Sequence, residues 1–183
     1  MSVKALFLDR DGVINKDYGY VYEKERFDFI YGIFDITRYA CSHDYKVFVI
    51  TNQAGIGRGY YSEFQFYQLT RWMTERFVEA GAPISQVYFS PYHPTAGIGK
   101  YLKDDFSRKP YPGMILQAQK EHGIDLDLDL SILIGNNFTD IKAGLAAGVG
   151  TNLLLATEHP NELRGTEYKL INDLHEAIPH MAS

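Results

Sequence analysis

Asp9 and Asp11 stand two residues apart at the end of the apolar run Leu6-Phe-Leu-Asp-Arg-Asp-Gly-Val-Ile-Asn15, which delivers both carboxylates into a glycine turn. Two anions so close repel each other unless a cation intervenes, and hard oxygen donors of this kind suit Mg²⁺. Such a pair offers a nucleophile beside an acid–base group. Aspartate and glycine also make ordinary turns, so the pair gains meaning only from what other segments bring to it. Three do. Val47-Phe-Val-Ile-Thr-Asn-Gln53 ends in a hydroxyl and two amides and runs into Ala54-Gly-Ile-Gly-Arg-Gly59, whose backbone N–H groups could hold phosphate oxygens. Arg108-Lys-Pro110 places two cations ahead of a proline-fixed helix start, and Ser131-Ile-Leu-Ile-Gly-Asn-Asn-Phe-Thr-Asp140 ends another apolar run in a turn with an acid.

The elements that must carry these groups follow from hydrophobic periodicity. Strands are expected over 3–8, 46–51, 86–89, 131–135 and 151–155, with a weaker one over 168–171. Amphipathic helices are expected over 32–43, 63–80, 112–122 and 139–147, with a closing helix near 173–181. The helix over 63–80 opens on the capping box Ser62-Glu-Phe-Gln65 and shows an apolar face of Phe66, Leu69, Met73 and Phe77. Alternation of this kind implies an α/β fold, a Rossmann-like three-layer α/β/α arrangement around a central, mostly parallel sheet. In such sheets ligands bind beyond the carboxyl ends of the strands, where the acid pair, Thr51 and the 135–140 turn all lie. The expected organisation is a single domain over 1–183 with no large cap. Two connections exceed the usual length: 12–31, read either as a flap over the acids or as an aromatic hairpin at the sheet edge, and the proline-, glycine- and charge-bearing loop 90–110.

Composition narrows the class. The 183 residues are 45% hydrophobic and carry a formal charge of −5 with no long basic run, which argues against a nucleic-acid partner. No charged leader precedes the first strand and no apolar stretch approaches a membrane span, so a soluble, cytoplasmic protein without a membrane partner is expected, with monomer as the default. The single cysteine, Cys41, excludes an internal disulfide and reads as a small core residue of the first helix.

In order along the chain these are an acid pair, a hydroxyl, a lysine and a glycine turn with an acid. From Leu6 to about Gly148 the chain resembles the haloacid dehalogenase-like (HAD) phosphohydrolases: Asp9-Arg-Asp-Gly-Val13 is similar to their first motif, Thr51 to the second, Lys109 to the third and Gly135 to Asp140 to the fourth. Phe7-Leu-Asp-Arg-Asp-Gly-Val-Ile-Asn15, Thr51-Asn-Gln-Ala-Gly-Ile-Gly-Arg-Gly59, Ser90-Pro-Tyr-His-Pro94 and Arg108-Lys-Pro-Tyr-Pro-Gly-Met114 resemble the heptose 1,7-bisphosphate 7-phosphatase branch, which shares most of them with histidinol-phosphate phosphatases. The segment Asp17-Tyr-Gly-Tyr20 favours the heptose branch. The resemblance implies a Mg²⁺-dependent two-step phosphoryl transfer, with Asp9 as nucleophile, Asp11 as acid and then base, and Thr51 and Lys109 on the phosphoryl oxygens. It implies a small sugar-phosphate substrate positioned by Asp17, Tyr18, Gly19, Tyr20, Asn52, Gln53, Arg108 and Asn137, and metal held by Asp9, Asp11, Asn136 and Asp140.

Two departures stand out. The fourth motif opens on Asn136 where relatives carry an aspartate, which removes a negative charge and is expected to weaken metal binding. Relatives often hold a structural zinc; here the matching positions are Ser90, Tyr92, Asp105 and Ser107, which cannot form a thiolate site, so no structural zinc is expected. Packing of Tyr88, Tyr92 and Tyr101 is the expected substitute. Histidinol phosphate or another small phosphomonoester is the second enzymatic reading, and a weakly active sugar-phosphate-binding homologue is the reading from another class. A receiver domain fits poorly, because the acids follow the first strand.

Overall fold

The computed structural model describes residues 2–122, 126–156 and 167–182. Six strands, β1 (Lys4–Leu8), β2 (Tyr45–Asn52), β3 (Gln86–Ser90), β4 (Ile132–Gly135), β5 (Thr151–Leu155) and β6 (Lys169–Ile171), form one sheet in the order β3-β2-β1-β4-β5-β6. Every pairing is parallel, with Leu6 level with Val47 on one side and Ile132 on the other. The helices are α1 (Ile33–Ser42), the single turn α2 (Ala54–Gly57), α3 (Glu63–Glu79), α4 (Gly113–Glu121), α5 (Phe138–Ala147) and the short α6 (Ile178–Met181).

The strands read as unbroken apolar runs because both faces are covered. Leu6, Leu8, Val47, Val49, Ile132 and Ile134 meet Ile33, Ile36, Leu69, Met73 and Phe77 on one side. Phe7, Phe48, Ile50 and Leu133 meet Met114, Ile115, Ala118 and Ile141 on the other. This is the three-layer α/β/α arrangement. The Ser62/Gln65 capping box forms as expected, Ser62 Oγ accepting from Gln65 N at 3.1 Å and Gln65 Oε1 from Ser62 N at 2.9 Å. Element boundaries move by a residue or two. The expected closing helix divides into a 3₁₀ turn over Leu174–Ala177 followed by α6. Cys41 is half-buried on α1, its thiol pushed up by burial, and faces the Pro83 carbonyl at 3.8 Å.

Segment 12–31 closes on itself through an antiparallel bridge between Asn15 and Phe29. Its base is a two-stranded ladder, with Lys16 N–H donating to Asp28 O and Ile30 N–H to Ile14 O, and buries Val13, Ile14, Val21 and Phe27 in the core. Its Asp17, Gly19 and Tyr20 line the same cavity as Asp9 and Asp11. Loop 90–110 is held by its own short ladder, with His93 N–H donating to Tyr101 O and Lys103 N–H to His93 O. Among the described residues no helix is long and apolar enough to cross a membrane.

Candidate active site

The strand order reverses its sequence direction at β1, which pairs with β2 on one edge and β4 on the other. The crevice beyond that seam is where an open α/β sheet binds ligands, and Asp9 is the residue that leaves β1 there, its N–H donating to Ile134 O at 3.1 Å. Gly12 makes the following turn possible: its φ is +92°, and a β-carbon there would stand 2.0 Å from Asn136 Nδ2. The turn closes on Arg10, whose carbonyl accepts from the N–H groups of Val13, Ile14 and Asn15.

Lys109 is the electrostatic centre. Its ammonium is buried and lies 2.8 Å from Asp9 Oδ1, 2.6 Å from Asp140 Oδ1 and 2.9 Å from the Ile50 carbonyl. Burial alone would lower its pKa, but Asp140 and Asp9 outweigh that and hold it above its ordinary value, fully charged. A reciprocal amide pair fixes the backbone beneath it: Lys109 N–H donates to Asn52 Oδ1 and Asn52 Nδ2 donates to Lys109 O, each at 3.0 Å. Burial, reinforced by Asp140, pushes the Asp9 carboxyl up to about 7 against the pull of Lys109.

Asp11 is held by both oxygens. Oδ1 accepts from Arg10 Nη2 at 2.8 Å and Asn15 Nδ2 at 3.0 Å, and Oδ2 from Gln53 Nε2 at 3.0 Å. Gln53 Nε2 also donates to Thr51 Oγ1 at 2.8 Å, while the Tyr61 hydroxyl donates to Gln53 Oε1. The Thr51 hydroxyl thus accepts from Gln53 and makes only a long contact as donor, to the Asn52 carbonyl at 3.5 Å.

The cation-binding reading can be tested on the oxygens themselves. One terminal atom of the Asn136 amide lies 3.1 Å from Asp9 Oδ2 and 3.2 Å from the Asp11 carbonyl oxygen. With oxygen there, Asn137 Nδ2 donates to it at 3.1 Å and three oxygens converge. Oxygens bound to one Mg²⁺ at 2.0–2.1 Å are spaced roughly 3 Å apart along an octahedral edge. Turned the other way, the amide donates to both oxygens and partly stands in for the cation. Asp9, the Asp11 carbonyl and Asn136 therefore fit a hard cation. Asp140 is occupied elsewhere. Its Oδ1 pairs with Lys109, and its Oδ2 accepts from the N–H groups of Asn136 at 3.1 Å and Asn137 at 3.0 Å. With both oxygens committed, it braces the lysine and the turn instead of joining the three converging oxygens.

These groups floor a cavity of about 290 Å³ lined by Asp9, Asp11, Asp17, Gly19, Tyr20, Asn52, Gln53, Arg108, Lys109, Asn137 and Asp140 among the expected residues. Tyr18 points elsewhere, its hydroxyl donating to Asp28 Oδ2 at 2.6 Å. Ala54 and Gly55 of the glycine-rich turn line the cavity, as do Tyr61 and Thr139, and Arg10 and Asn15 support it from below, though no site role was expected for these last four. Arg10 was hidden by its type, since an arginine is expected at the surface, yet it is 1% exposed. Tyr61 gave no local signal; it reaches the site because Gly55 leaves room, a β-carbon there standing 2.2 Å from Tyr61 Cε1.

At the positions matching the relatives' zinc ligands, Ser107 Oγ donates to Ser90 Oγ at 2.9 Å and Asp105 pairs with Lys103 at 2.6 Å. Tyr92 and Tyr101 approach with ring centres 6.2 Å apart. The expected three-tyrosine cluster is corrected at Tyr88, which turns to the other side of the sheet against Phe48 and donates to Glu121 at 2.7 Å.

Residues 106–177 match the HAD-hydrolase-like family. Over 99% of its length the chain is 49% identical to a D-glycero-alpha-D-manno-heptose-1,7-bisphosphate 7-phosphatase of Burkholderia mallei, covering 95% of that protein. It is 40% identical to the corresponding beta enzyme of Yersinia pestis over 90% of this chain and 86% of that one. Its fold matches the crystal structure of D,D-heptose 1,7-bisphosphate phosphatase from B. bronchiseptica complexed with magnesium and phosphate, with a TM-score of 0.85 and 22% identity over 98% of each chain. Motifs, sheet order and these relatives agree, and the chain belongs to the heptose-1,7-bisphosphate 7-phosphatase family of HAD phosphatases.

Proposed function

We propose that the protein is a Mg²⁺-dependent phosphatase that removes the 7-phosphate of D-glycero-D-manno-heptose 1,7-bisphosphate through an aspartyl-phosphate, in bacterial nucleotide-activated heptose synthesis. The observation that carries the reading is Asp9, with Oδ1 held by Lys109 and Oδ2 turned to the converging oxygens, beside an Asp11 carboxylate aimed by three donors. In the first step Asp9 attacks phosphorus, a bond to Asp9 oxygen forms as the bond to the sugar oxygen breaks, and Asp11 gives that oxygen its proton. In the second, Asp11 takes a proton from water as the water displaces Asp9. Thr51 and Lys109 stabilise charge on the phosphoryl oxygens. A Mg²⁺ held by Asp9 Oδ2, the Asp11 carbonyl and Asn136 would supply charge neutralisation between carboxylate and phosphate.

The cavity mouth favours a second anion over a cation. Arg108 lines it, donating only to the Tyr92 carbonyl at 3.1 Å, and burial together with nearby Arg58 lowers its pKa. Asp104 opposes that shift from a distance, and among the described residues neither guanidinium lies in a salt bridge. Two such cations suit the 1-phosphate of a bisphosphate and disfavour histidinol phosphate, which carries an amine. Asp17, Gly19 and Tyr20 would face the sugar, with Asn137 at the opposite wall. One phosphatase unit, covered by the 12–31 flap and the 90–110 loop, suffices for a substrate of this size. Phosphate release from the two substrates, measured with and without Mg²⁺, tests the assignment.

A further inference from the structure

Among the described residues Arg10 is the largest fully buried side chain. Nη2 carries its hydrogen bonds, at 2.8 Å to Asp11 Oδ1 and 2.6 Å to the Val21 carbonyl, while Nε and Nη1 have no protein partner. The guanidinium stands 5.9 Å from the centre of the Phe27 ring. Val21 and Phe27 both belong to the 12–31 segment whose Asp17, Gly19 and Tyr20 line the cavity. A buried cation with three of its five N–H donors unpartnered is a poor way to stabilise a core.

We propose that Arg10 is a positioning residue that sets Asp11 for proton transfer and locks that setting to the flap through Val21. This rests on the phosphatase reading above and extends it to the division of labour between the two Asp11 oxygens. Oδ1 accepts from both Arg10 and Asn15 and is the anchor. Oδ2 accepts only from Gln53 and is the oxygen that carries the proton to the leaving sugar oxygen and later takes one from water. Arg10 transfers no proton itself. It fixes the torsion of the carboxylate, so that Oδ2 points into the cavity when the flap base is in place.

The test exploits leaving groups. A sugar oxygen needs a proton to depart, whereas p-nitrophenolate does not, so a residue acting through Asp11 separates the two substrates in kcat/KM. Arg10→Met is expected to lose about 100-fold or more on heptose 1,7-bisphosphate, the scale of general acid catalysis, and less than about fivefold on p-nitrophenyl phosphate. Arg10→Lys, which keeps the charge and the stem, is expected to recover about tenfold of the sugar-phosphate loss and carries the test by itself if the Met variant does not fold. Equal losses on both substrates, or none on the sugar phosphate, would overturn the proposal. A wild-type protein inert on both would overturn the phosphatase reading and this role with it, which keeps the two failures distinct.

Discussion

At the residue scale the site is a set of opposed charges in a confined space. Asp9 and Asp140 share Lys109, and Asp11 pairs with Arg10. Asp9→Asn removes the attacking oxygen and is expected to bring turnover to background while the thermal melt stays cooperative; retained activity would remove Asp9 as nucleophile. The same substitution has a pH signature in chelator. The Asp9 pKa rises from 3.8 to about 7 in the folded protein, chiefly through burial. Between those values the folded state holds a proton that the unfolded chain has lost, so stability should fall as pH rises from about 4 to 7. In EDTA, Asp9→Asn should flatten that slope and raise the melting temperature at neutral pH. Asn136 makes the third claim at this scale. Restoring a carboxylate with Asn136→Asp adds a charge where an amide now meets Asp9 and Asp11, and should lower the Mg²⁺ concentration for half-maximal rate several-fold. An unchanged requirement would contradict the coordination reading.

At the scale of elements, two segment ends hold the lysine. The start of α5 is braced by Asp140, which takes two backbone N–H groups and Lys109 together, and the end of β2 clamps the lysine backbone through Asn52. Lys109→Met strands Asp9 and Asp140 against each other. Breaking one side of a buried pair costs about 3–5 kcal/mol, which for a chain of this size lowers the melting temperature on the order of 10 °C. A shift of only a degree or two by calorimetry would mean the carboxylates find other partners. Much of this scaffold was legible in the sequence, for particular reasons. The strands announce themselves because burial on both faces leaves no polar positions in Leu6–Leu8 or Val47–Ile50. Ser62 and Gln65 announce α3 because a capping box is local chemistry. What stayed hidden depends on distant partners. Asp140 reads as a metal ligand by position and becomes a brace only when Lys109 arrives from another segment. Tyr88 lies in the expected strand and was expected to pack with Tyr92 and Tyr101, but strand alternation turns it to the far face, against Phe48. Arg10 and Tyr61 are drawn inward by Asp11 and Gln53, which no periodicity marks.

At the scale of the whole molecule, one parallel sheet brings four strand ends and two connecting segments to a single rim. The cavity is lined by the Asp9 and Asp11 carboxylates, by Asp17, Gly19 and Tyr20 of the flap, and by the Arg108 guanidinium, with Arg58 close enough to Arg108 to lower its pKa. In the proposed reading that arrangement would separate a reacting phosphate near Asp9 from a second anion near Arg108, and it is the reason for proposing a bisphosphate in preference to a cationic monoester. The measurement that tests this most directly is Mg²⁺-dependent phosphate release from heptose 1,7-bisphosphate beside histidinol phosphate. Fast release of the 7-phosphate from the heptose, at least about 100-fold above histidinol phosphate in kcat/KM and abolished by EDTA, is the expected result. Equal turnover of the two, or release that persists without divalent cation, would contradict it.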